Sequence, residues 1–208
     1  MKTLVLLSQK GGSGKTTLAF HLAVMAFFDE LSVALIDTDP QGSASAWGKM
    51  RHADWPVVAN TVSKPFEEVM KQARSLKIDL CIVDTPPHTT FASSGIAKIA
   101  DFVLIPCRPT GLDLTSIHSS TLKIAKASKR PFAVTLNGCS PRGSHDEEEA
   151  LASFEKRGVE VAPIRICERK AYARAYVQGK AVCEFEKNGK AAKEIEALWR
   201  WIREKMNV

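Results

Sequence analysis

Short, nearly continuous apolar runs alternate with stretches of helical periodicity along the 208-residue chain. The apolar runs predict strands at residues 3–8, 33–37, 79–84, 101–106, 131–137 and 159–164. The helical pattern predicts helices at residues 15–28, up to Trp47, at 65–75 and at 189–206. Strands without polar alternation indicate a sheet that is covered on both faces, and strand–helix alternation implies right-handed crossovers. The pattern predicts a single α/β domain over residues 1–208, with a mostly parallel central sheet and helices on both faces.

The last predicted helix carries an apolar stripe made of Ile195, Leu198, Trp199, Ile202 and Met206. Such a stripe is typical of a helix that packs on the sheet. The alternative is a helix lying on a membrane surface, which the glutamates on its polar side disfavour because they repel anionic lipid. No apolar run approaches membrane-spanning length, and the apolar run at the N-terminus is too short for a signal peptide.

Composition and charge narrow the picture only slightly. Hydrophobic residues make up 45% and charged residues 25% of the chain, which is ordinary for a soluble globular domain. The net charge is +6, and the segment from Arg165 onwards holds eleven Lys or Arg against six Glu. This uneven placement permits an acidic partner. The five scattered cysteines include no CxxC pair, which indicates buried free thiols in a reducing cytoplasm.

The candidate chemistry begins in the stretch LVLLSQKGGSGKTTLAF, which has the pattern of a strand, a glycine-rich loop and a helix start. A strict phosphate-binding loop would have glycine at position 9, where Gln9 stands. The remaining chemistry is present, because Lys15 can reach the β- and γ-phosphates and the Thr16 hydroxyl can ligate Mg²⁺. Backbone N–H groups can approach phosphate closely at the three glycines of the loop, Gly11, Gly12 and Gly14. The sequence therefore predicts a P-loop fold with a nucleotide-phosphate site at the start of a helix.

Carboxylates follow two of the predicted strands. Asp37 and Asp39 end the strand VALID in VALIDTDPQ, and Asp84 ends the strand in CIVDTPP. Each could be a turn former or a helix cap. Strand ends beside a phosphate loop are nevertheless where ligands gather in open α/β sheets, and Mg²⁺ requires hard oxygen ligands. These residues are therefore the predicted metal-binding and water-binding groups.

The segments KGGSGKTT, DTDPQGS and IVDTPP together resemble the deviant Walker A ATPases of the ParA/MinD family. The resemblance continues through VLIPCRPTGLDL and GKAVCEFEKNGKAAKEIEAL, covers essentially the whole chain and is strongest to small ParA-type partition proteins. It implies that Lys10 is the signature lysine of an ATP-dependent homodimer, in which it reaches the phosphates of the partner subunit. A cation supplied in trans would stabilise charge that develops during phosphoryl transfer.

The same resemblance implies an ATPase with ATP and Mg²⁺ as cofactors, and it assigns roles to individual residues. It implies that Asp39 orients the attacking water, that Asp37 supports the Mg²⁺ shell and that Asp84 holds a metal-bound water. Asn137 matches the position that contacts adenine, although Gly138 stands where an arginine is usual. Lys10, Lys15 and Asp39 would be the catalytic residues. The remaining implied nucleotide contacts are Gly11, Gly12, Ser13, Gly14, Thr16 and Thr17.

A ParA-type protein is expected to bind duplex DNA non-specifically as its ATP dimer, through phosphate neutralisation. The resemblance also implies a ParB-like activator, plasmid or other DNA partition, a bacterial cytoplasmic, nucleoid-associated location and no membrane partner. The candidate DNA-binding residues are Arg165, Arg169, Lys170 and Arg174. His88 lies in the expected second switch, where it is either a surface loop residue or a pH-sensitive contact.

Three rival functions share parts of these motifs. A MinD-like membrane-associated ATPase has the same loop and carboxylates. A P-loop small-molecule kinase or synthetase has no use for Lys10 and needs an acceptor pocket that the sequence does not identify. A nitrogenase-iron-protein-like reductase needs two cluster cysteines, and Cys107 and Cys139 are not in a recognisable cluster context.

Overall fold

The computed structural model describes residues 1–62, 64–87 and 91–208, apart from the side chains of residues 91 and 92. Seven strands form the sheet: β1 (Lys2–Leu6), β2 (Val33–Asp37), β3 (Val57–Asn60), β4 (Leu80–Asp84), β5 (Phe102–Cys107), β6 (Phe132–Cys139) and β7 (Ile166–Cys167). Their order is β3-β2-β4-β1-β5-β6-β7, and all pairs are parallel. The strand that leads into the glycine-rich loop is therefore central.

The helices occupy the connections between these strands. They are α1 (Lys15–Phe28), α2 (Ser43–Met50), α3 (Phe66–Ser75), α4 (Phe91–Lys98), α5 (Gly111–Ser116), α6 (Leu122–Ser128), α7 (His145–Glu155), α8 (Lys170–Tyr176), α9 (Val182–Phe185) and α10 (Lys190–Met206). A π-helical segment, Ile117–Thr121, joins α5 to α6.

Hydrophobic core covers the sheet on both faces. Alternate side chains of β1 divide between the two faces, with Leu4 and Leu6 in one cluster and Val5 and Leu7 in the other. The first cluster contains residues of α1, α9 and α10, and the second contains residues of α3, α4, α6 and α7. The predicted α/β fold with a parallel sheet covered on both faces is thus confirmed. The strands are continuously apolar because the side chains on both of their faces are buried.

Two features at the edges of the sheet differ from the sequence prediction. The strand predicted at 159–164 is wrong: Val161 forms only an isolated bridge to Val134, and the outer strand is β7. Pro163 interrupts that apolar run and has no N–H to donate to a ladder. The opposite edge strand, β3, was not predicted because it has four residues, all only partly buried.

The stripe on α10 packs inward, as one of the two interpretations of the sequence expected. Ile195, Leu198, Trp199, Ile202 and Met206 are all buried, and α10 contacts α1. Within the described ranges, none of the helices combines the length and the apolar character needed to cross a bilayer. All five cysteines are buried and free, as predicted.

Candidate nucleotide-binding site

The glycine-rich loop connects β1 to α1 and is held in place by Asn137 of β6. The Asn137 Nδ2 donates a hydrogen bond to the carbonyl oxygen of Ser13 over 2.7 Å. Gly14 adopts a left-handed φ of 97°, and a β-carbon there would lie 2.0 Å from Asn137 Nδ2. Glycine at this position therefore lets the loop approach the asparagine, which positions the N-terminus of α1.

Asn137 reaches the loop because β6 is irregular at its end. The register between β6 and β7 shifts between Asn137 and Cys139, and the intervening Gly138 has a left-handed φ of 70°. A bulge of this kind re-aims the side chains beside it. Asn137, which the family resemblance assigned to the nucleotide base, therefore also holds the phosphate loop in place.

The two lysines of the loop have different environments. Lys15 is only 6% exposed, and its Nζ donates to the Lys10 carbonyl oxygen over 3.4 Å. Burial lowers the pKa of Lys15, while the nearby Asp84 and Asp39 carboxylates oppose that shift. The Lys10 side chain is half-buried and has no ion-pair or hydrogen-bond partner within the part of the chain that the structure describes.

The predicted metal-binding carboxylates converge on the start of α1. Asp37 and Asp84 are cross-strand neighbours at the ends of β2 and β4. The Thr16 hydroxyl donates to Asp84 Oδ2 over 2.6 Å, whereas the buried Asp84 Oδ1 has no partner among the described residues. Burial raises the pKa of Asp84 to about 7; the Thr16 hydrogen bond lowers it, Asp37 raises it and Lys15 lowers it.

Asp37 and Asp39 are fixed by the chain that follows them. Asp37 Oδ2 accepts hydrogen bonds from the backbone N–H and the hydroxyl of Ser45, over 2.8 and 2.9 Å. Asp37 Oδ1 accepts one from the Asp39 N–H over 3.1 Å, and Asp39 Oδ1 accepts one from the Gln41 N–H over 3.0 Å. The turn after β2 therefore holds the half-buried Asp39 carboxylate at the cavity wall.

These groups fit a magnesium ion. The donor set is all oxygen, which Mg²⁺ prefers, and the unpartnered Asp84 Oδ1 is a buried acceptor that an ion or its water would satisfy. Thr16 and Asp84 are placed to hold the ion or its waters, and Asp37 is placed to support them from the neighbouring strand end.

A cavity of about 610 Å³ extends from the loop in two directions. Towards β2 it reaches Asp39, Gln41 and Ser43, and towards β6 and β7 it reaches Asn137, Gly138 and Glu168. Its sides include glycines of the loop, Thr17 at the start of α1 and three aromatic residues, namely Phe20, Tyr172 and Tyr176. The volume suits a small-molecule ligand whose phosphates meet the loop.

Four cations proposed from the sequence to contact DNA divide into two pairs. Arg165 forms an ion pair with Glu147, and Arg169 forms one with Glu194. Lys170 and Arg174 are exposed on α8, and the described part of the chain offers neither an ion-pair partner. Arg169 also lines the cavity, so its place is at the wall of the nucleotide site.

Several residues of the site were not identified from the sequence. Ser45 lies eight positions after Asp37, and only the helix start between them hints at a contact. Arg108 and Glu168 line the cavity, although the sequence assigned neither of them a role. Tyr172 packs against His21 and Tyr176 packs against Phe20, and both also line the cavity. His88 lies outside the described residues.

A central parallel strand, a glycine-rich loop leading into a helix, and acids at the ends of the neighbouring strands define a P-loop nucleotide-binding domain. Residues 4–182 match the family model described as CobQ/CobB/MinD/ParA nucleotide binding domain. The chain belongs to this family, and the resemblance to ParA and MinD proteins is confirmed.

Relatives that are 30% identical to this chain include the following two. One is Maintenance of carboxysome distribution protein A of Gloeobacter kilaueensis, aligned over 99% of this chain and 94% of its own length. The other is Protein ParA of Rhizobium radiobacter, aligned over 94% and 92%. The chain is therefore a domain of the ParA/MinD ATPase family, and one of these two relatives is named for carboxysome distribution.

Solved structures share the fold. The ATP complex of a Cyanothece McdA variant has a TM-score of 0.76 at 21% identity and matches 100% of this chain and 97% of its own. MinD from Pyrococcus horikoshii, complexed with Mg-ADP, has a TM-score of 0.75 at 17% identity, covering 97% and 95%. The prediction of ATP and Mg²⁺ as ligands is thereby confirmed for the family.

Proposed function

We propose that this protein is a Mg²⁺-dependent ATPase of ParA type that dimerises on ATP, binds duplex DNA non-specifically and drives partition of plasmid or other DNA. A ParB-like protein would accelerate hydrolysis, and the protein would act in the bacterial cytoplasm on the nucleoid. The observation that carries the proposal is the contrast between a buried Lys15 among carboxylates and a Lys10 whose side chain has no partner in the described chain.

In the proposed reaction, water attacks the γ-phosphorus of ATP in line with the bridging oxygen, giving ADP and phosphate. Lys15 and the N–H groups of the loop bind the triphosphate. Mg²⁺, when bound, neutralises charge on the phosphate oxygens. Thr16 and Asp84 would hold it, and Asp39 would act by orienting the attacking water.

Lys10 would act across the dimer. Its backbone is tied to Lys15, so its side chain leaves the loop at a fixed point beside the phosphates. A second protomer that places its own Lys10 at the first protomer's triphosphate would complete the charge stabilisation. ATP would then strengthen the dimer by the same free energy with which the dimer strengthens ATP binding.

The hydrolysis cycle is tested with Asp39→Ala. We expect this variant to form dimers in ATP and Mg²⁺ while hydrolysis falls by at least about 100-fold, the usual cost of losing a positioned catalytic group. Light scattering and phosphate release are the measurements, with Asp146→Ala on the exposed start of α7 as the control. Normal hydrolysis by Asp39→Ala would contradict the role of Asp39, and single protomers at high concentration would contradict the dimer.

The DNA step is tested by mobility shift with duplex DNA, with and without ATP, over a salt series. Counterion release predicts an affinity that falls steeply with salt. Of the four contacts expected from the sequence, Lys170 and Arg174 are the proposed ones, because Arg165 and Arg169 form ion pairs with Glu147 and Glu194. A parallel arm pellets the protein with anionic vesicles in ATP. Binding to vesicles and not to DNA would replace this proposal with a MinD-like function, and turnover that depends on a metabolite would replace it with a kinase or synthetase.

A further inference from the structure

One end of the nucleotide cavity is bordered by an arginine, Arg108, to which the sequence motifs assigned no role. Asp37 and Asp84 end β2 and β4, on one side of β1, so the metal and the γ-phosphate belong to that side. The cavity continues on the other side of β1, past the ends of β5 and β6. The nucleoside must occupy this second direction, and Arg108 lines it directly after β5.

Arg108 lies against the backbone of Gly138. A β-carbon at Gly138 would be 3.5 Å from the Arg108 Nε and 3.6 Å from its Cγ, so the arginine stem passes the open side of the glycine at a distance that would just admit one carbon atom. Within the described residues, the Arg108 guanidinium has no side-chain hydrogen bond and no ion pair. The Arg108 side chain is exposed and lies at the cavity wall.

A guanidinium is flat, always charged and weakly hydrated, and it stacks readily on aromatic rings. Asn137, the residue before Gly138, is committed to the loop through its hydrogen bond to Ser13. We propose that Arg108 stacks on the nucleobase of the bound nucleotide and closes the base end of the cavity. This inference rests on the proposed ATP site and adds to it a residue for base affinity.

The test separates a stacking role from a general charge effect. Calorimetry measures the binding of a non-hydrolysable ATP analogue and of inorganic triphosphate to the full-length protein and its variants. Arg108→Ala is expected to weaken analogue binding about tenfold and to leave triphosphate binding unchanged, since only the analogue carries a base. Arg108→Lys is expected to behave like Arg108→Ala, because lysine keeps the charge but lacks the plane.

Arg142→Ala is the matched control, since Arg142 is exposed on the loop after β6 and is not part of the cavity wall. Equal losses for both ligands, or full affinity in Arg108→Lys, would mean that Arg108 acts through charge and would overturn stacking. Unchanged analogue binding in Arg108→Ala would overturn any role for it. A wild-type protein that does not bind the analogue would instead overturn the proposed function.

Discussion

The phosphate loop and the basic surface of the last quarter of the chain both carry excess positive charge, but they hold it differently. At the loop, Lys15 is buried and faces the carboxylates that end β2 and β4. On the C-terminal surface, five cations form ion pairs: Arg165 with Glu147, Arg169 with Glu194, Arg200 with Glu196, Arg203 with Asp29 and Lys205 with Glu160.

This difference shows why a count of charges locates a region more readily than a site. The excess after Arg165 is real, yet several of its members are paired with carboxylates of the same chain. Charges paired on an exposed surface contribute little stability individually. A buried cation such as Lys15, by contrast, needs anionic groups around it to compensate for its lost hydration. The loop can therefore be tested through single residues, and the surface requires a comparison of paired with unpaired cations.

The largest effect is expected from Lys15→Ala. Removing the buried cation deletes charge-assisted hydrogen bonds to phosphate, and each of these is worth about 1.5–3 kcal/mol. ATP affinity should fall by at least about 100-fold in calorimetry with Mg²⁺. Near-normal ATP affinity would show that the backbone N–H groups of the loop are sufficient to bind the phosphates. Lys15 would then have no larger role than a cation of the C-terminal surface.

Lys10→Ala should separate binding from assembly. Each protomer should bind ATP within about threefold of wild type, because Lys10 makes no side-chain contact in its own described chain. The ATP-dependent dimer should weaken by at least about thirtyfold in sedimentation experiments, because the charge across the interface is lost. The exposed Lys126→Ala is the control. Normal dimers in Lys10→Ala would refute the role in trans.

The surface is tested by setting its unpaired cations against its paired ones. Replacing Lys170 and Arg174 together by Glu should weaken DNA binding about thirtyfold at low salt and leave hydrolysis intact. Arg165→Gln should act on folding instead, lowering the free energy of unfolding by about 1–3 kcal/mol because Glu147 is only 3% exposed. The reverse ranking, with DNA affinity lost in Arg165→Gln alone, would assign contact to the paired set.

The smallest effect concerns His21, where α1 meets the C-terminal elements. Its Nδ1 accepts the N–H of Val182 over 3.1 Å, and burial lowers the pKa of His21 to about 3. The unfolded chain therefore takes up a proton below pH 6.5 that the folded chain refuses, so stability falls as the pH drops below that value. At pH about 5.8 the loss should be about 1 kcal/mol relative to His21→Gln.

Urea unfolding of both proteins at pH about 7.5 and about 5.8 measures this difference. The same replacement at the exposed His52 is the control. A stability difference between wild type and His21→Gln that does not change with pH would show that His21 is solvated in the folded protein. Water would then reach the contact between α1 and the start of α9, where Val182 donates to His21.

The sequence predicted the centre of the molecule better than its edges. Central strands are apolar on both faces, so β1, β2, β4 and β5 are visible as continuous runs. β3 is partly exposed and β7 has two residues, and neither leaves a periodic signal. Local context decides such edge elements more than their own residues do.

The site shows the same division. The loop and its acids could be predicted because phosphate and Mg²⁺ demand particular residue types at fixed places along the chain. Arg108 and Tyr172 reach the cavity, and Ser45 reaches Asp37, through the packing of separate elements, which spacing along the chain does not encode. The pairing of Arg165 with Glu147, eighteen positions apart, is invisible for the same reason.

The central position of β1 has one more consequence. The acids proposed for ATP hydrolysis follow β2 and β4, on one side of β1. The residues proposed to contact the nucleotide base follow or end β5 and β6, on the other side. Under the proposed function, the choice of nucleotide base and the hydrolysis of ATP would therefore depend on residues in separate halves of the sheet, which share the phosphate loop between them. Replacing the β5–β7 side of the sheet by that of a related protein is then expected to change the preferred nucleotide base and to leave the hydrolysis rate unchanged.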